Sequence, residues 1–125
     1  MSWLEVGNAD LCRLVAAAAD LCRKPLRHGV VLVSPADEED CSLRIEARSA
    51  EGERLITQDL ELELYRSGTS LNLTLAWRDD DARPMLWHGS HPVWMTARGE
   101  RCERPSDGLA VEALARRLRS LLEPG

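Results

Sequence analysis

From Arg54 to Trp77 apolar and polar residues alternate with a period of two, broken once at Ser67-Gly68-Thr69. Successive strand residues face opposite sides of a sheet, so the pattern predicts two long antiparallel strands joined by a tight turn, apolar on one face and wet on the other. Ile56, Leu60, Leu62 and Leu64 fall on the inward side of the first strand, against Thr57, Asp59, Glu61, Glu63 and Tyr65. On the second, Leu71, Leu73, Leu75 and Trp77 oppose Asn72, Thr74, Ala76 and Arg78. The alternation also runs from Cys41 to Arg48, with Cys41, Leu43, Ile45 and Ala47 inward. A turn at Glu51-Gly52 would fold that strand back onto the one from Arg54 and set Arg44 across from Asp59, with Arg78 on the other side. The acidic row Asp59, Glu61, Glu63 then reads as part of an inter-strand charge ladder, not as paired catalytic carboxylates.

Two segments repeat at three and four residues instead, the period of a helix with one apolar stripe. The first runs from about Ala9 to Arg23, with Asn8 as its cap, Pro25 beyond its end, and a stripe of Leu11, Leu14, Val15, Ala18, Leu21 and Cys22. The second runs from about Leu109 to Leu122 with Ser106 or Asp107 as cap and a stripe of Ala110, Leu114, Leu118, Leu121 and Leu122. Between the first helix and Cys41, the short β-branched run Val30-Val31-Leu32-Val33 predicts another strand, followed by an acidic loop at Asp37–Asp40. The order helix, strands, helix gives a single α+β domain over residues 1–125: an antiparallel meander of five to six strands with the N-terminal and C-terminal helices packed on one face.

One stretch departs from the alternation. Met85-Leu86-Trp87 and Val93-Trp94-Met95 are apolar at every position and flank the turn His88-Gly89-Ser90-His91, so the hairpin they form is apolar on both faces. Either both faces are covered or one is offered to a partner. His88 and His91, three apart across the turn, could meet one metal ion with Cys41 or Cys102 as a distant third ligand, although zinc sites are usually marked by two close ligand pairs. Ser90 lacks the strand-to-helix elbow of a nucleophile, and the aspartates of 79–81 lack the glycine and distal glutamate of a calcium loop. On the C-terminal helix, Arg116, Arg117 and Arg119 with Glu112 make a basic face that either complements the helix dipole or meets an acidic partner.

Composition narrows these choices. The 125 residues carry a net charge of −5, which argues against nucleic acid and anionic membranes as partners. No run of apolar residues is long enough to span a bilayer, and the start of the chain lacks a signal-peptide pattern, so a cytoplasmic protein is expected. Of the four cysteines, Cys12 and Cys22 lie on one helix about 15 Å apart, too far to bridge, and free thiols are expected throughout. Tryptophan and methionine are enriched in interface cores. The reading that follows is a non-catalytic interaction or assembly protein without a cofactor. It uses Met85, Leu86, Trp87, Val93, Trp94 and Met95 to bind a protein partner or a second copy of itself, as a dimer. The alternative is a small metal- or ligand-binding protein, conceivably an enzyme, centred on His88, His91 and a thiol.

Overall fold

A computed structural model describes residues 7–34 and 40–123. The chain forms α1 (Asn8–Cys22), seven strands and α2 (Gly108–Leu122). The strands are β1 (Arg27–Ser34), β2 (Asp40–Arg48), β3 (Leu60–Ser67), β4 (Ser70–Trp77), β5 (Met85–His88), β6 (Pro92–Met95) and β7 (Arg101–Cys102). They pair in chain order as one antiparallel meander, so β1 and β7 are its edges. Both helices lie against one face, α1 over β1 and α2 over β4 and β5, and also touch each other. This is the expected α+β architecture with one more strand, since β7 has only two residues, too short to show a period.

The core is the inward row of each strand against the helix stripes. Cys41, Leu43, Ile45 and Ala47 of β2, Leu60, Leu62 and Leu64 of β3, and Leu71, Leu73 and Leu75 of β4 are buried, as the alternation predicts. From α1 come Leu11, Val15, Ala18 and Ala19, and from α2 Val111, Leu114, Ala115, Leu118 and Leu122. Leu21, expected in the first stripe, is half exposed, because the stripe centres one position earlier, on Ala18 and Ala19. Neither cap acts as expected: Gly7 precedes α1 with Asn8 inside the first turn, and no side chain caps either helix. The acidic stretch 37–39 and the chain end 124–125 lie outside the described residues. The β3–β4 hairpin closes at Ser67↔Ser70, with Gly68 at φ 65° supplying the left-handed turn residue.

The connection from β2 to β3 turns at Glu51-Gly52 as expected and pairs Arg48 with Arg54 antiparallel, but it does not run straight on as one strand. It spans residues 49–59, folding around the Ser49 hydroxyl, which accepts from the amides of Glu51 and Glu53, and ending in a 3-10 turn at Ile56–Gln58. The alternation is therefore broken before Leu60, which leaves Ile56 53% exposed instead of inward. The register shifts with it: Arg44 stands across from Glu61, two residues beyond the expected Asp59. Asp59 is not on the wet face at all. Its side chain is fully buried and takes the place of a strand partner for Ala47, whose amide donates to Oδ1 at 2.8 Å. Arg54 clamps both carboxylate oxygens at 2.9 and 2.7 Å, and Arg78 donates to Oδ2 at 3.0 Å. Burial acts to raise the Asp59 pKa, but Arg54, the Ala47 amide and Arg78 outweigh it and hold the carboxyl below its ordinary range.

Candidate functional site

The helices cover one face of the sheet, and among the described residues no element covers the other. Over β2–β4 that open face is charged and internally paired: Arg44 donates to Glu61 at 3.2 Å, while Arg78 stands 3.7 Å from Glu46 and 4.0 Å from Glu61. Over β5 and β6 its character changes. The pairings Met85↔Met95 and Trp87↔Val93 put these four side chains on the open side, each half-buried with no charged group among them. Alternate positions point the other way, so Leu86 and Trp94 pair across the strands beneath α2.

Leu86 and Trp94 are therefore corrected from partner-binding candidates to core residues. The Trp94 indole N–H donates to Glu112 at 2.6 Å, and Arg104 reaches the other carboxylate oxygen at 3.1 Å. Glu112, expected on the wet face of α2, is buried because it is the acceptor this indole needs. Trp87, by contrast, lies along the outside of the sheet. Its indole N–H donates to the Tyr65 hydroxyl, and its ring lies close against Gly89 and Asn72. A Cβ at Gly89 would stand 2.8 Å from Trp87 Cζ2 and 2.9 Å from Asn72 Oδ1, so only glycine fits there. Asn72 sits on the open side yet is buried, consistent with the indole lying against it.

The metal-ligand candidates are not brought together. His88 faces the core and is 3% exposed, His91 is exposed in the turn, and Cys102 is half-buried across from Trp94. Among the described residues no three histidine, cysteine, aspartate or glutamate side chains are grouped to hold a metal ion, and none of the four cysteines is in a disulfide. His88 Nδ1 lies 3.0 Å from the Gly89 carbonyl, which can only accept, so Nδ1 carries the proton and buried Nε2 is left without a partner. Burial lowers the His88 pKa, with the Gly89 hydrogen bond opposing. Arg116, Arg117 and Arg119 do not form one face either. Arg117 and Arg119 stand roughly 160° apart around the helix. Arg119 is engaged, donating to the Leu71 carbonyl at 3.3 Å and to Glu123 at 2.8 Å, and only Arg116 and Arg117 are exposed.

A second cluster, which the sequence does not advertise, lies at the far end of the helices. Arg23, at the C-terminal end of α1, is 5% exposed. It donates to His28 Nε2 at 3.1 Å and to the Gln58 carbonyl and Oε1 at 3.0 and 3.2 Å. The His28 ring is neutral in this arrangement, since Nδ1 donates to Asp20 at 2.9 Å while Nε2 accepts from Arg23. Its pKa is lowered first by burial, with Asp20 opposing. The Arg23 guanidinium carbon stands 5.9 Å from the centre of the Trp77 ring, against which Arg83 also stacks at 3.4 Å. Three segments distant in the chain meet here, so no local spacing announces the cluster.

No helix among the described residues is long and apolar enough to cross a membrane. No curated protein and no solved structure matches the chain. One family model does, over residues 12–121, a span that takes in every strand and most of both helices. The chain belongs to that family, DUF8659, a domain of unknown function.

Proposed function

We propose that this protein is a non-catalytic interaction module in a cytoplasmic setting, and that the open face of its sheet over β5 and β6 packs against the same face of a second copy. The observation that carries this reading is the quartet Met85, Trp87, Val93 and Met95, which lies half-buried on a sheet face that no described element covers. A packed side chain of this size gains about 1.5–3 kcal/mol on full burial, and here that gain is only partly taken within the chain. The neighbouring charges favour a copy over an acidic or basic partner, because Arg44, Arg54 and Arg78 balance Glu46, Glu61 and Glu63 on that face.

Light scattering on a sizing column, beside circular dichroism, tests the reading. The expected wild-type mass is twice the 14.0 kDa of the chain, and Val93→Glu or Met95→Glu yields a monomer with an unchanged spectrum. A wild type that stays at 14.0 kDa up to high concentration overturns self-association. So does a variant that unfolds instead of dissociating, since the hairpin's outer side would then be core.

A further inference from the structure

We infer that the groove between α1 and α2, on the solvent side of the helical layer, docks an acidic amphipathic helix of another protein. Two hollows of 350 and 300 Å³ meet at Arg117 and make the groove continuous along both helices. Its floor is apolar. Leu14, Ala17 and Leu21 flank the core stripe of α1 at helical spacing, and Leu121 answers them from α2. Ala17 and Leu21 are exposed, Leu21 to 50%, so the apolar face of α1 is wider than the core beneath it uses.

Charge identifies the occupant. The chain as a whole carries −5, yet the rim of this groove is Arg116 and Arg117, both exposed and neither in an ion pair among the described residues. The carboxylates of the two helices are engaged elsewhere: Asp10 by Arg13, Asp20 by His28, and Glu112 by Trp94 and Arg104. The helix dipole does not account for the two arginines, because Arg119 is the basic residue of the last turn. Unneutralised positive charge on the lip of an apolar floor complements a segment that carries carboxylates beside an apolar stripe. That segment is a helix, because the walls are themselves helices with paired backbones and offer an extended strand nothing to bond to. Ala17, Ala113 and Ser120 are small enough for a third helix to approach closely. The groove shares no residue with the quartet on the open face, which lies across the sheet from the helices.

The test is a titration of the ¹⁵N-labelled protein with a synthetic helical peptide of about 15 residues, leucine at every third and fourth position and glutamate at most others, against the same peptide with lysine in place of glutamate. Saturable shifts are expected at the amides of Ala17, Leu21, Ala113 and Arg117 with the acidic peptide alone. Binding should be about tenfold weaker in Arg117→Glu and in Leu21→Ser, and unchanged in Arg98→Glu, which makes the same charge change at an exposed residue away from the groove. The inference is overturned if the acidic peptide does not saturate at millimolar concentration, if shifts fall outside the groove, if the lysine peptide binds as tightly, or if Arg98→Glu weakens binding as much as Arg117→Glu. It is also overturned if Arg117→Glu splits a wild-type dimer into monomers, since a second copy would then occupy the groove.

Discussion

Over β2–β4 the open face of the sheet carries Arg44, Glu46, Glu61 and Arg78, each within 4.0 Å of an opposite charge, whereas over β5 and β6 the same face carries Met85, Trp87, Val93 and Met95. In the first region these four charges have their partners within the chain. The second has its backbone paired, while its side chains keep part of their surface in water. Two tryptophans on one hairpin show the same division. Trp94 points inward and has its N–H satisfied by a buried carboxylate, while Trp87 points outward and is held by Tyr65 and Gly89. A sheet with one helical layer can thus finish its charged half alone and leave its apolar half for another surface.

The largest expected effect separates the two tryptophans. Trp94→Ala should cost about 3–5 kcal/mol in urea denaturation, from the lost burial and from a buried Glu112 stripped of its donor. Trp87→Ala should cost markedly less and show mainly in the oligomeric state; equal losses for the two would erase the distinction between the hairpin's sides. Next comes Asp59→Ala, which leaves Arg54 and the Ala47 amide without their acceptor and should destabilise by about 3 kcal/mol. The sign with pH is set by the depressed carboxyl pKa: the Asp59 contribution is fully present above the ordinary value of 3.8 and is lost as pH falls through the lower folded value. Acid unfolding of wild type and Asp59→Ala should therefore converge at low pH.

A further pH effect comes from His28 and His88, both with folded pKa values lowered below 6.5 mainly by burial. Between the folded values and 6.5 the unfolded chain binds more protons, so stability should fall as pH drops below 6.5 and level off once both rings are charged in the fold. Melting temperatures across that range should show a shallower slope for His88→Leu. The smallest change belongs to the charged half of the open face. Glu61→Gln removes one member of two partly exposed pairs and should cost no more than about 0.5 kcal/mol. A loss several times larger would mean that the ladder, and not the core beneath it, holds the sheet.

Much of the frame is legible because strand side chains alternate strictly. The inward rows of β2, β3 and β4 follow from that period alone, as do the two helices from theirs. What escapes is whatever depends on a break in the period. The 3-10 turn at Ile56–Gln58 resets the phase, which turns Ile56 outward, buries Asp59 and moves Arg44 to Glu61. Glu112 escapes for a different reason: a carboxylate on a helix reads as solvated until a tryptophan from another strand is known to need it. The Arg23, His28, Gln58 and Trp77 cluster is likewise illegible, because the end of α1, a 3-10 turn and two strands must be brought together before it exists. The hairpin shows the limit from the other side. Its apolar residues mark it as unusual, but only the pairing of Trp87 with Val93 and of Leu86 with Trp94 says which of them face the core.

Methyl resonances of Met85 and Met95, followed through a dilution series, measure the environment of the open face directly. The self-association proposed here requires both signals to move together between micromolar and millimolar protein, following the same curve as the mass from light scattering, and to stay fixed in Val93→Glu. Signals that hold one position across the whole range in the wild type would contradict it.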